Sequence, residues 1–106
     1  MLSTEDWRLV SSQGAALLFV VARPGCTLTE IAIGLGLTER ATWSLVMDLR
    51  RAGMLQTRRD GRRHFYTVDL DASFEMPVLG KFPLRDLVGQ LATRASGWNV
   101  HAAKVA

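Results

Sequence analysis

At Gly53 the sequence changes from a helical to an alternating pattern, and this change narrows the possible folds sharply. Residues 54–59 and 62–68 alternate like strands, with Asp60 and Gly61 between them. Asp-Gly between two strand-like runs is typical of a tight hairpin, because a type I′ turn needs two residues with positive φ. We therefore predict a two-stranded hairpin whose type I′ turn is centred on Asp60 and Gly61.

Two helices are predicted early in the chain. The first begins at Ser11 or Ser12, either of which can act as the N-cap, and ends before Pro24. It is apolar almost all round, which indicates a helix at the centre of the core. Thr27 and Glu30 then form a capping box, so a short second helix is expected to follow and to end in a glycine-containing turn.

A third helix is predicted over residues 39–52, with Thr38 as its N-cap and Gly53 just beyond its end. Its inward-facing positions recur at spacings of three and four residues, as Thr42, Leu45, Val46 and Leu49. A helix, a capped short helix, a turn, a capped longer helix and a basic hairpin, in that order, make a winged helix-turn-helix. The predicted fold class is therefore mainly α with a small β-hairpin.

The predicted organisation is an N-terminal arm at residues 1–10, a winged helix-turn-helix at residues 11–70 and a C-terminal part at residues 71–106. Residues 69–82 are predicted to be an irregular linker, because Pro77 and Gly80 break regular structure. Pro83 suits the first position of a last helix, residues 84–95, and we expect a loose tail after it.

Positive charge is concentrated in residues 40–63. This segment holds seven arginines and two aspartates, a net charge of +5, whereas the whole chain carries +3, so the remaining residues sum to −2. Such a concentration indicates an anionic partner, namely phosphate, anionic lipid or an acidic protein. A solvated basic face is the alternative interpretation, and a charge run by itself favours that alternative.

Residues 35–40, 48–55 and 59–66 carry a family resemblance, as the strings LGLTER, DLRRAGML and RDGRRHFY. In this order and spacing they resemble prokaryotic winged helix-turn-helix transcription regulators of the MarR/ArsR-like type, most closely a compact subgroup with one C-terminal helix. The likeness extends over residues 7–92 of the chain. It implies a homodimeric regulator of transcription, more commonly a repressor, that binds double-stranded DNA sequence-specifically and has no enzymatic activity.

The resemblance implies that the third helix lies in the DNA major groove and that the hairpin, or wing, at residues 56–66 lies on the backbone or in the minor groove. The residues of the third helix implied to face the groove are Thr38, Glu39, Arg40, Trp43, Ser44 and Met47. The candidate phosphate ligands of the wing are Arg58, Arg59, Arg62 and Arg63. Because alternate side chains of a strand face opposite ways, only some of these arginines are expected to touch one DNA surface. Either Phe65 or Tyr66 is expected to anchor the wing on the core.

Three of the third-helix residues have alternative interpretations. Arg40 could contact a guanine with both ends of its guanidinium, or lie in solvent. Glu39 could accept a hydrogen bond from cytosine, although its position at the start of a helix, where an acid is favourable, is the better-supported interpretation. Trp43 could press against a thymine methyl group, pack against another chain, or lie half-buried beside the wing.

The last predicted helix is expected to form the dimer interface, since it has more apolar surface than one small core can cover. The residues assigned to this interface are Leu84, Leu87, Val88 and Leu91. Two-fold symmetry would place two recognition helices about 34 Å apart on a pseudo-palindrome.

The alternative function is that of a winged-helix module that binds protein rather than DNA, with Trp43 as an interface anchor. The four wing arginines argue against that alternative.

An enzymatic site, a metal site and a cofactor are not expected. The histidines, His64 and His101, are far apart in sequence, and neither a catalytic triad nor a phosphate-binding loop is visible. These histidines and Cys26 share no metal-ligand spacing. Cys26 could be a redox sensor at a helix start, but such a cysteine is more commonly a small buried residue.

The sequence leads us to expect a soluble, cytoplasmic protein. It has one cysteine, which fits a reducing compartment, and it contains no apolar run long enough to span a membrane. No feature of the sequence indicates a small-molecule effector.

Overall fold

The computed structural model describes residues 10–89. Their elements are α1 (Ser12–Ala22), α2 (Leu28–Leu35), α3 (Glu39–Arg51), β1 (Leu55–Asp60), β2 (Arg63–Val68), β3 (Ser73–Met76) and β4 (Gly80–Pro83), and residues 84–89 are helical. The predicted fold class and the order of three helices and a hairpin are confirmed. Among these residues, no helix combines the length and apolar character needed to cross a bilayer. The arm before residue 10 and most of the predicted tail lie outside the described residues.

Each of the three predicted N-caps is present. The side chains of Ser11, Thr27 and Thr38 accept a hydrogen bond from a backbone N–H in the first turn of α1, α2 and α3, respectively. The Glu30 carboxylate also accepts from the Thr27 backbone N–H, which completes the capping box. At the other end of α2, Gly36 adopts the left-handed conformation that reverses the chain towards α3.

The core is built around α1, as the apolar character of that helix predicts. Ala16, Leu17 and Val20 are buried, and α1 contacts α2, α3 and β2. The other buried apolar side chains of the cluster are Cys26, Ile31, Val46, Leu49, Leu55, Tyr66, Leu84 and Val88. This packing sets the position of α3 and of the first hairpin, which carry the predicted site.

The helices α1 and α2 approach each other closely at Gly34. A Cβ atom added to Gly34 would overlap the Phe19 ring at Cε2 and lie 2.8 Å from Cδ2. Real Cβ atoms essentially never come under 3.0 Å of a neighbouring heavy atom, so no larger residue fits here without a shift of the ring. The absent side chain of Gly34 therefore makes room for Phe19.

The wing is the β1–β2 hairpin, but its turn differs from the predicted one. Asp60 pairs with Arg63, so the two turn residues are Gly61 and Arg62 rather than Asp60 and Gly61. Gly61 has a φ of 63°, whereas Val78 is the only non-glycine residue of the described part with positive φ. Glycine at the first turn position alone is the pattern of a type II′ turn. The prediction of a type I′ turn was wrong because Asp60 stays in the strand pair.

A short backbone bridge fastens the wing to the loop before α2. The Tyr66 N–H donates to the Cys26 carbonyl at 2.9 Å, and the Gly25 N–H donates to the Tyr66 carbonyl at 2.8 Å. The Tyr66 side chain is buried, 5% exposed, in the core beneath. The wing is thus held in place by its backbone as well as by its inner face.

A second hairpin occupies most of the segment predicted to be irregular. β3 and β4 pair antiparallel, with Phe74 opposite Phe82 and their ring centroids 4.6 Å apart. Pro77 lies in the loop of this hairpin, Gly80 begins β4, and Pro83 ends it. The prediction was wrong because residues that break long elements also form tight turns, and two strands of four residues are too short to show a period.

The predicted dimerisation residues do not form one exposed surface. Leu84 and Val88 are each 1% exposed and belong to the core of their own chain, so their assignment to an interface was wrong. The physical reason is the second hairpin, which brings the start of the last helix onto the core. Leu87 is 49% exposed, and Leu91 lies outside the described residues together with the end of the predicted helix 84–95.

Candidate nucleic-acid interface

One side of α3 faces solvent. Arg40, Ser44, Met47 and Arg51 follow one another at spacings of four, three and four residues, and all but the half-buried Met47 are exposed. The opposite side carries the buried residues Thr42, Val46 and Leu49. Within residues 10–89, the Arg40 guanidinium has no hydrogen-bond or ion-pair partner. Arg40 therefore extends freely from the leading end of this exposed side.

The two residues before Arg40 have partners within the protein. The Thr38 hydroxyl accepts from the Ala41 N–H at 3.1 Å, so it serves to start the helix. The Glu39 carboxylate accepts from the Thr29 hydroxyl at 2.7 Å, across the turn between α2 and α3. Among the described residues, Thr38 and Glu39 thus have partners at the start of α3, whereas Arg40 has none.

Trp43 lies beside the wing and is 52% exposed. It borders a cleft of about 680 Å³ that separates α3 from the wing. The side chains lining this cleft are Thr27, Leu28, Thr29, Glu30, Trp43, Arg62, Arg63, His64 and Tyr66. The tip of the wing and the flank of α3 therefore border the same concave surface.

The two faces of the wing follow from its register. Tyr66 is buried, which identifies the inner face and shows that Tyr66, rather than Phe65, anchors the wing. Arg59 and His64 are paired on this inner face, because side chains two residues apart share a face. Arg58 is paired with Phe65 on the outer face. The wing arginines therefore divide between two surfaces, as strand alternation predicts.

Two of the four wing arginines are engaged within the wing. The Arg58 guanidinium lies over the Phe65 ring, 5.4 Å from its centroid. Arg59 Nε donates to the Gly61 carbonyl in the turn at 2.9 Å. In the part of the chain that the structure describes, the guanidinium groups of Arg62 and Arg63 form no hydrogen bond or ion pair. Arg62 and Arg63 are thus the wing cations that remain available to an external anion.

Glu30 adds one negative charge to this basic surface. The hydrogen bonds donated by the Thr27 backbone N–H and hydroxyl hold the pKa of the Glu30 carboxyl below its usual range. The charges of Arg23 and Arg63 lower the pKa of Glu30 further. Glu30 is therefore ionised at neutral pH, and it offsets part of the positive charge at the base of the wing.

Cys26 is expected to react slowly with thiol reagents. Burial raises the pKa of the Cys26 thiol to about 11, and the nearby Glu30 carboxylate adds to this effect. At pH 8 a thiol of that pKa is ionised in only about one molecule in a thousand, and the thiolate is the reactive form. We expect Ellman's reagent to modify the native chain at least a hundredfold more slowly than the chain unfolded in guanidinium, with the rate rising with pH. Equal rates for both forms would contradict this description and would revive the role of a redox sensor.

The second hairpin does not extend the basic surface. Between residues 69 and 89 the chain carries Asp69, Asp71, Glu75 and Asp86 against Lys81 and Arg85, a net charge of −2. A duplex carries one phosphate charge per strand about every 3.4 Å, so it would be repelled from this part of the molecule. Within residues 10–89, the concentration of positive charge on α3 and the wing therefore does not continue onto the second hairpin.

Two residues of the site region are missing from the sequence-based list. Cys26 supplies a backbone bridge to the wing, and Thr29 holds Glu39. No sequence pattern identifies the bridge, since it uses backbone atoms. Thr29 could have been noticed as an exposed hydroxyl in the first turn of a helix, but its partner lies ten residues later, beyond the reach of any local pattern.

Comparison with solved structures places the fold among transcriptional regulators. No protein-family model and no curated protein matches the sequence. The PcaV transcriptional regulator from Streptomyces coelicolor, solved with its natural ligand, is 30% identical, with a TM-score of 0.53 over 58% of this chain and 47% of PcaV. A MarR family transcription regulator is 20% identical, with a TM-score of 0.53 over 90% of this chain and 56% of that chain.

MepR, a transcription regulator of the Staphylococcus aureus multidrug efflux pump MepA, is 18% identical, with a TM-score of 0.58 over 97% of this chain and 70% of MepR. A complex of MepR with DNA matches with a TM-score of 0.56 at 17% identity. The chain thus spans 47% of the length of PcaV and 70% of that of MepR. PcaV, MepR and the MarR family protein are regulators of transcription. The chain has the winged helix-turn-helix fold of MarR-family transcriptional regulators.

Proposed function

We propose that this protein is a transcription regulator that binds double-stranded DNA sequence-specifically. The supporting observation is that Trp43 of α3 lines one cleft together with Arg62 and Arg63, which form no hydrogen bond or ion pair within residues 10–89. A guanidinium group without an internal carboxylate partner is well suited to bind a phosphate, because its N–H groups match two phosphate oxygens. Positive charge on a single concave surface suits a duplex better than positive charge spread over the whole molecule.

In the proposed complex α3 enters the major groove, which is about 12 Å wide and admits a helix. The leading end of α3, with Arg40, then faces base edges. The wing, residues 56–66, follows the sugar-phosphate backbone or enters the minor groove. The solved complex of MepR with DNA shows that a protein of this fold can bind DNA, and this adds support.

We further propose that the protein acts as a homodimer and represses transcription. Of the residues that the sequence assigns to the dimer interface, Leu87 is described and exposed, so it could take part in a dimer contact. A two-fold dimer would place its two α3 helices about 34 Å apart, so that each reads one half of a pseudo-palindrome. Sedimentation at micromolar concentration tests this proposal, and a monomer under those conditions would contradict it.

A salt titration of binding to a duplex tests the proposed function. Two to four phosphate contacts per chain predict a slope of log affinity against log salt of about −2 to −4 per bound chain. We expect tight binding at low salt that weakens steeply as salt is added. Absent or salt-independent binding would contradict the proposal.

A protein-binding module is the second candidate function. The observation that favours it is Trp43, an aromatic side chain 52% exposed in a cleft, since such residues often anchor protein interfaces. The same titration distinguishes the two candidates. A chain that binds no duplex at low salt would support the protein-binding module.

Arg40→Ala is expected to reduce sequence preference rather than general affinity. Because Arg40 lies free at the leading end of α3, we expect its loss to cost about 1–3 kcal/mol on the preferred sequence and to relax the preference at one base position. Selection from a pool of random duplexes, with the wild type and the variant in parallel, measures both effects. If the variant weakens all duplexes equally, Arg40 contacts phosphate instead of a base.

A further inference from the structure

The hydrogen bond between Thr29 and Glu39 joins the two helices of the helix-turn-helix. Thr29 lies in the first turn of α2, and Glu39 is the first residue of α3. The Thr29 hydroxyl donates to Glu39 Oε1 at 2.7 Å, and both residues are exposed. The bond therefore lies on the surface, next to the free side chain of Arg40.

This bond is poorly placed to stabilise the fold. An exposed hydrogen bond adds little stability, because water offers both groups an equivalent partner in the unfolded chain. The packing of α2 on α3 is already supplied by buried side chains, among them Ile31 and Val46. The bond must therefore act mainly on the orientation of the Glu39 carboxylate.

Holding one carboxylate oxygen leaves the other free to accept a hydrogen bond. In the major groove a carboxylate can accept from the cytosine amino group, whereas the acceptor atoms of guanine and thymine repel it. Adenine also presents an amino group, but its N7 acceptor lies beside that group and makes adenine the poorer partner. Arg40, the next residue, carries a donor fork that matches guanine. The start of α3 thus presents the Glu39 carboxylate as an acceptor next to the Arg40 guanidinium as a donor. The bond from Thr29 restrains the Glu39 carboxylate already in the free protein.

We propose that Thr29 is a positioning residue that holds Glu39 ready to recognise a cytosine at one base pair of the bound sequence. The proposal rests on the proposed DNA-binding function. A glutamate side chain fixed in advance loses less conformational freedom on binding, so its selectivity for cytosine is greater. Thr29 itself needs no contact with the DNA.

The test compares the duplex sequences selected from a random pool by the wild type and four variants. Thr29→Val removes the donor at nearly constant shape, Thr29→Ser keeps it, and Glu39→Ala removes the acceptor. Ser73→Ala, on the second hairpin, removes an exposed hydroxyl group outside the proposed DNA interface and serves as the control. Unfolding midpoints are measured for all variants alongside the selection.

We expect Glu39→Ala to lose a cytosine preference of about five- to tenfold at one base pair. Thr29→Val should weaken the preference at that same base pair by about two- to fivefold, with an unchanged unfolding midpoint. Thr29→Ser and Ser73→Ala should keep the wild-type preference. This pattern separates positioning from a structural role, because a structural role would change the midpoint.

Three outcomes would overturn the proposal. One is that Thr29→Val selects the same sequences as the wild type. Another is that Glu39→Ala tightens binding to every duplex equally, which would mean that Glu39 only repels phosphate. The third is that the wild type binds all duplexes alike with a steep salt dependence, which leaves DNA binding standing but shows that Glu39 recognises no cytosine. If the wild type binds no duplex at any salt concentration, it is the proposed function itself that fails.

Discussion

Replacing Arg62 and Arg63 together by alanine is expected to weaken binding to every duplex by about 2–3 kcal/mol, roughly 30- to 150-fold at moderate salt. Within the described residues these two guanidinium groups form no hydrogen bond or ion pair, so a phosphate has no close partner to displace, and Arg63 is attracted to the Glu30 carboxylate only at longer range. The slope of log affinity against log salt should also fall by about 1.8, because each neutralised phosphate contributes about 0.9.

Lys81→Ala combined with Arg85→Ala is the matched control, because it removes the same two positive charges from the acidic part of the chain. We expect that variant to bind DNA with nearly wild-type affinity and slope. Equal weakening by both double variants would mean that binding depends on net charge alone, and not on a surface formed by α3 and the wing. Arg58→Ala should have a smaller effect than the Arg62 and Arg63 variant, because Arg58 is stacked on Phe65.

Gly34→Ala is expected to destabilise the fold by about 2 kcal/mol or more, which corresponds to a fall in Tm of roughly 10 °C. Alanine is a better helix former than glycine by about 1 kcal/mol, so helix propensity alone predicts that Gly34→Ala stabilises the fold. The added Cβ would overlap the Phe19 ring, and the ring is packed against the core and cannot move freely. The steric cost should therefore exceed the gain in propensity.

Gly89→Ala provides the control for this prediction. Gly89 is also helical, but a Cβ added there meets no atom of the described residues within 4 Å, so the substitution should cost much less stability than Gly34→Ala. Combining Gly34→Ala with Phe19→Leu should recover part of the lost stability, since the smaller side chain leaves room for the methyl group. If Gly34→Ala is as stable as the wild type in thermal or denaturant unfolding, the close approach of α1 and α2 is not as described.

The site was partly predictable because its elements depend on local chemistry. Thr38 as a helix cap, the exposed position of Arg40 and the presence of a basic hairpin all follow from neighbouring residues. Sequence alternation also predicts that the wing arginines divide between two faces. It does not predict which of them are engaged, because the Phe65 ring beneath Arg58 and the Gly61 carbonyl beside Arg59 depend on the strand register.

The caps of α1, α2 and α3, the glycine turn before α3 and the existence of the wing can be predicted from the sequence, since each depends on interactions within a few residues. The other features arise only in the folded chain. Folding buries Leu84 and Val88, forms a second hairpin from residues 73–83 and brings Thr29 to Glu39. The physical reason is that these features depend on register and on contacts between distant segments. A one-residue change of register reverses the face of every side chain in a strand without changing its local pattern.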